Sequence, residues 1–154
     1  MARIEYLEVR EAMLTYAKEQ VQKDCKTDVY TITSNYTQSV GILGSIPVSV
    51  LLKFIKFNAQ PDMSETSYGY TREAIFELLF APKALDDDEA DTLLGQALSD
   101  FEWYMSDREP GNAFNTVFDG YSIEKIEVNQ GEIGRNKEAG LIGWMNLSAF
   151  IMED

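Results

Sequence analysis

The segment Val48 to Phe57 constrains the fold more than any other stretch of this chain. Its β-branched and aromatic residues mark a strand, and both of its faces are apolar. Under period two, Val48, Val50, Leu52 and Phe54 share one face, and Leu51, Ile55 and Phe57 share the other. Such a strand belongs inside a sheet, covered on both sides or covered on one side by a partner.

The rest of the chain supplies the sheet and its cover. Arg3 to Lys23 reads as a helix, with Ile4, Leu7, Leu14, Ala17 and Val21 on one stripe flanked by Ala12 and Met13. Val29 to Thr33 is a short strand. Ser34 to Pro47 reads as a loop whose Val40, Ile42, Leu43 and Ile46 tuck onto the core. Asn58 to Gly69 is polar, holds a proline and joins two strand candidates, so it reads as a long hairpin loop. Tyr70 to Phe80 accepts either a strand or a helix. Strand is preferred, because Pro82 closes the segment quickly and a hairpin loop precedes it.

Asp86, Asp87, Asp88 and Glu89 open a second helix, where carboxylates meet free N–H groups and the positive dipole end. Ala90, Leu93, Leu94, Ala97, Leu98, Phe101 and Met105 form its apolar face, and Pro110-Gly111 stops it. Ser122 to Val128 alternates imperfectly, with Ile123, Lys125 and Glu127 set against Ser122, Glu124, Ile126 and Val128. Leu141 to Met152 is a longer strand, with Ile142, Trp144, Phe150 and Met152 opposite Met145, Leu147 and Ile151. The glycine-rich stretch Asn129 to Gly140 between them reads as a second long hairpin loop. The expected fold is a single α+β domain over residues 1–154. Its sheet is mixed, mostly antiparallel and of about five strands, with two helices packed on it in the order α-β-β-β-α-β-β.

Charge and composition narrow the function. The chain has no histidine, one cysteine and a formal net charge of −13. That balance opposes binding to a phosphate backbone, where affinity comes from Lys and Arg releasing counterions. It fits either plain solubility or a surface past which DNA must slide. No apolar run approaches the ~20 residues of a membrane span. The opening Met1-Ala2-Arg3-Ile4-Glu5 is unlike a signal peptide, which places the protein in the cytoplasm of the producing cell.

Candidate chemistry is sparse. Asp86 to Asp88 lack the alternating spacing and the glycine of a calcium loop, so they read as a helix cap. Glu124, Lys125 and Glu127, with Asp119, resemble a metal-dependent nuclease set, but adjacent strand residues face opposite ways. Cys25 has no histidine to activate it and reads as an inert thiol. Gly131, Gly134 and Gly140 lie between strands, not between a strand and a helix, which argues against a dinucleotide fingerprint. Trp103 is off the apolar stripe of its helix, so it either anchors an interface or packs in the core or against a loop. No catalytic residue, metal ligand or cofactor site is expected, and the protein is read as not an enzyme.

The layout resembles that of the tail terminator proteins of long-tailed bacteriophages. The segments that carry the resemblance are Phe80-Ala81-Pro82 closing a strand, the helix Leu85 to Met105, and the terminal pair Ser122 to Val128 and Leu141 to Met152. The resemblance implies a structural virion protein of the tail or neck, assembled in the host cytoplasm. It implies a homo-hexameric ring that caps the tail tube protein and then joins a head–tail connector or neck protein. DNA would pass through the lumen without specific binding, past six copies each carrying −13. Contacts with the tube or a neighbouring subunit would fall on the two long loops. In the first these are Asn58, Gln60, Asp62, Ser64, Glu65 and Tyr68; in the second, Gln130, Glu132, Arg135, Lys137 and Glu138, with Trp103 beside them. Another connector of the same virion, or a small-molecule-binding α+β domain, are the alternatives.

Overall fold

A computed structural model describes residues 5–34, 46–58, 70–84, 86–106, 117–118, 121–137 and 140–153. In chain order the elements are α1 (Tyr6–Lys23), β1 (Tyr30–Thr33), β2 (Val48–Asn58), β3 (Tyr70–Pro82), α2 (Asp87–Met105), β4 (Val117–Phe118), β5 (Tyr121–Asn136) and β6 (Gly140–Glu153). The expected helices and strands are present in the expected order, and the two-residue β4 adds a sixth strand. The sheet order is β1-β2-β3-β6-β5-β4. Only β1 and β2 pair in parallel; the other neighbours are antiparallel. The parallel pair requires the chain to return along the sheet between them. Residues 35–45, which include Val40, Ile42 and Leu43, lie outside the described residues.

Both helices cover the same face. α1 packs on β1 and β2, α2 packs on β2, β3, β5 and β6, and the helices touch each other. Beneath them Ala74, Phe76, Leu78 and Phe80 of β3 are fully buried, as are Leu147, Ala149 and Ile151 of β6. The alternation along β3 settles its helix-or-strand ambiguity: every second residue from Ala74 to Phe80 is buried, and Ile75, Glu77 and Leu79 between them are half-buried. Phe76, Phe80 and Phe101 are each fully buried, a contribution of about 2–3 kcal/mol apiece.

Four expectations need correction. First, Asn129 to Gly140 is not a hairpin loop. β5 runs on to Asn136, and its register with β6 continues to the pair Asn136–Gly140. Of the glycines that suggested a loop, Gly134 makes room for a neighbour, and Gly140 takes a positive φ of 79°. A side chain at Gly131 would meet Leu98 at 3.6 Å and Met145 at 3.8 Å, and one at Gly134 would strike the Trp144 indole at 2.5 Å.

Second, period two fails in β2 beyond Phe54. The register shifts between Phe54 and Lys56, leaving Ile55 out of the ladder and 46% exposed. This bulge turns Phe57 onto the face of Phe54, where the two rings lie 5.0 Å apart. Third, a similar shift between Ile123 and Lys125 puts Ile123 and Ile126 together on the core face, not on opposite faces. Fourth, Leu7 is not on the buried stripe of α1; it is 60% exposed, and Val9, Tyr16 and Gln20 are buried instead.

The start of α2 follows the sequence reading. Asp86 is the N-cap, and its Oδ1 accepts from the Glu89 N–H at 2.8 Å.

Candidate functional site

Of the residues expected to form an interface, those that the structure describes lie in separate places. Asn58 ends β2 and donates from Nδ2 to Oε1 of Glu73 at 2.8 Å. Lys137 follows β5 at the opposite end of the sheet. Through the register Asn58 lies level with Phe150, and Lys137 lies beyond the Asn136–Gly140 pair, a separation along β6 of about 33 Å. Gln130 and Glu132 sit in β5 beside Asn146 and Trp144, on the face away from the helices. Arg135 Nη2 lies 2.5 Å from Oδ2 of Asp87, tying the end of β5 to the start of α2. Trp103 is 43% exposed on α2. Gln60, Asp62, Ser64, Glu65, Tyr68 and Glu138 lie outside the described residues.

The densest polar cluster is one that the sequence reading missed. Asp100 projects from α2 toward the turn between α1 and β1. Its Oδ2 accepts from Tyr30 Oη at 2.5 Å and from Lys26 Nζ at 2.8 Å, and its Oδ1 accepts from Gln96 Nε2 at 3.1 Å. Beside it, Tyr104 Oη donates to Oδ2 of Asp24, and Tyr16 Oη donates to the Tyr104 carbonyl at 3.1 Å. Phe101 fills the space below, edge-to-face against Tyr30, Phe80 and Tyr104.

The electrostatics make this cluster a clasp. Burial pushes the Tyr30 phenol well above the ordinary tyrosine range, and its bond to Asp100 adds to the rise. Burial does the same to Tyr104, helped by its bond to Asp24. The hydrogen bond to Asp100 raises Lys26 against the opposing cost of desolvation. Both phenols therefore stay protonated and act as donors to fixed carboxylates. The bonds of Tyr30, Lys26 and Tyr104 to the carboxylates join residues 70 and more apart in the chain, so the i, i+4 spacing of Gln96 and Asp100 alone does not announce them. The one local sign is a carboxylate at Asp100 directly before the buried Phe101.

Clefts open elsewhere among the described residues. One, of about 600 Å³, lies between the end of α2 and β5 and is lined by Glu102, Ser106 and the run Lys125 to Gln130. There Lys125 Nζ pairs with Glu127 Oε1 at 2.6 Å. The other, of about 340 Å³, lies at the start of α1 against β2 and is lined by Tyr6, Leu7, Arg10, Ser34, Leu52, Lys53 and Phe54. Neither includes the Asp100 cluster.

Among the described residues no group of three or more His, Cys, Asp or Glu side chains is placed to hold a metal ion. No helix among them is long and apolar enough to cross a membrane. Cys25 is exposed at the end of α1. No protein-family model matches the chain, and no curated protein matches it.

Proposed function

We propose that this protein is a non-catalytic virion component that caps a bacteriophage tail tube as a homo-hexameric ring and offers the surface to which the head is joined. The observation that supports the reading best is the architecture. Two helices lie side by side on one face of a mostly antiparallel sheet, in the order that the tail terminator resemblance implies. A second support is charge. A net charge of −13 per copy suits a ring through which DNA passes without being held. The partners in this reading are the tail tube protein and a head–tail connector or neck protein.

The test is the absolute mass of the purified protein by light scattering, alone and after mixing with polymerised tail tubes. A hexamer, or a monomer that becomes a ring on tube ends, is the expected result. A monomer that ignores tubes overturns the proposal. Deleting Pro61 to Tyr68 between β2 and β3 should leave a folded protein that no longer caps tubes. Undiminished capping by that deletion would remove the loop from the tube contact.

A ligand-binding role is the second reading. The 600 Å³ cleft beside β5 favours it, because cationic, anionic and amide residues line it. A change in the melting temperature with small polar metabolites, in a protein that stays monomeric, would select it.

A further inference from the structure

We propose that the open edge of β5 takes up an extended, basic segment of a partner protein as an added strand. The inference stands apart from the ring-forming reading. It concerns the cleft of about 600 Å³ beside β5, with a polypeptide in place of a small ligand.

The floor of that cleft is backbone. β5 runs from Tyr121 to Asn136, but β4 pairs only with Tyr121 and Ser122. From Ile123 onward no described strand lies on that side of β5. In an antiparallel ladder every second residue turns its N–H and C=O away from its partner strand. Those groups of β5 face outward, where another strand can pair with them. The cleft marks the place. Six consecutive residues, Lys125 to Gln130, line it. Consecutive side chains point to opposite faces of a sheet, so a cleft that meets all of them lies along the edge.

The wall is one flank of α2. Ser106 and Glu102 line the cleft. Leu98, Gly95, Asp91 and Asp88 follow at steps of three and four residues, so they share that flank. Two contacts show that the helix tracks β5: a side chain at Gly131 would meet Leu98 at 3.6 Å, and Asp87 holds Arg135. A Cβ at Gly95 would meet nothing within 4 Å. Glycine weakens a helix interior, and no packing among the described residues requires it here. The space it leaves opens on the groove.

Charge selects the occupant. Asp88 and Asp91 are exposed, and no described cation pairs with either. The two cations of β5 are already held, Lys125 by Glu127 and Arg135 by Asp87. The flank therefore offers carboxylates without counter-charges to one row of side chains on a docked strand. Lysine or arginine in that row completes the pairing. Main-chain hydrogen bonds hold such a segment, and its alternate side chains set the preference.

Peptide binding to the full chain tests the inference, read by fluorescence anisotropy and by amide hydrogen exchange. The probe is a capped, labelled octapeptide alternating lysine and threonine. It should bind, and it should slow exchange at alternate amides between Lys125 and Gln130. Two backbone-methylated forms carry the same charge, one methylated at the lysine nitrogens and the other at the threonine nitrogens. One edge of a docked strand faces β5, so one form should lose about tenfold in affinity and the other little. Asp88→Asn with Asp91→Asn should weaken binding about fivefold. A peptide alternating glutamate and threonine should not bind. Equal affinity of the two methylated forms would mean attraction by charge alone and overturn the inference, as would no binding by the parent peptide. Without peptide, protection of the same amides that grows with protein concentration would put a second copy on the edge. Protection at every concentration would mean that the chain covers its own edge. Either result overturns the inference. Light scattering and tube capping report on the proposed function separately, so either idea can fail alone.

Discussion

Tyr30 donates a 2.5 Å hydrogen bond to Oδ2 of Asp100, joining the first strand to the second helix across 70 residues of chain. The same oxygen accepts from Lys26 at 2.8 Å. The Asp100 side chain is 13% exposed, so the carboxylate is largely dependent on these donors. Replacing it with alanine leaves the Tyr30 phenol without its acceptor and leaves Lys26 the more distant Asp24, at 3.8 Å. Asp100→Ala should destabilise the fold by about 2–4 kcal/mol. A urea titration checks this. A loss below about 0.5 kcal/mol would mean that water replaces the carboxylate without cost.

The same cluster sets how the protein responds to alkali. In the folded state Tyr30 and Tyr104 keep their protons well past the ordinary tyrosine range, because burial and their carboxylate partners oppose ionisation. The unfolded chain gives up those protons near pH ~10. Stability from the two phenols is therefore fully present below about pH 10 and is lost as pH climbs above it. Lys26 acts in the same direction, since its folded pKa is raised and the unfolded lysine loses its charge first. Urea midpoints should fall between pH 9 and pH 11, and the double variant Tyr30→Phe, Tyr104→Phe should fall less. An equal fall in both proteins would place the alkaline sensitivity elsewhere.

Much of the fold was legible because it rests on local patterns. The cap at Asp86, the apolar face of α2 and the alternation of β6 are all properties of residues within a few positions of each other. What escaped depends on partners distant in sequence. The bulge that exposes Ile55 and turns Phe57 inward is visible only against β3. Gly134 of β5 looked like part of a loop because the residue that fills its space, Trp144, comes from β6. The Asp100 cluster joins three elements, and none of its members stands out in its own window. Trp103 was left open between an interface anchor and packing, and it is 43% exposed, while its neighbour Tyr104, also off the expected stripe, is buried.

Gly134 offers a direct check of that account of β5. A methyl group built there would come within 2.5 Å and 2.8 Å of the Trp144 ring, closer than atoms can approach. Gly134→Ala must displace the indole from the sheet face. We expect a red shift in tryptophan emission and a loss of about 1–2 kcal/mol, typical of overpacking. The chain has two tryptophans, so the comparison is best made in a Trp103→Phe background. An unchanged spectrum would mean that the Trp144 ring does not rest on Gly134.

Cys25 is the one described non-glycine residue with positive φ, at 57°. The reason lies in how α1 ends. The Cys25 N–H bonds to the Gln22 carbonyl at 3.0 Å, and the Lys26 N–H bonds to the Val21 carbonyl at 3.1 Å. This pair of bonds is the Schellman motif, whose left-handed position glycine usually fills. A residue with a Cβ costs ~1–2 kcal/mol there, and glycine returns part of that gain through its greater freedom when unfolded. Cys25→Gly should therefore stabilise the protein by about 0.5–1 kcal/mol, a rise of roughly 2–3 °C in Tm for a chain of this length. Cys25→Val should lower Tm, because branching at Cβ worsens the clash. Calorimetry of the two variants separates this account from a role for the thiol itself. If sulfur mattered to the fold, both would lose stability. If only the backbone conformation matters, they move in opposite directions.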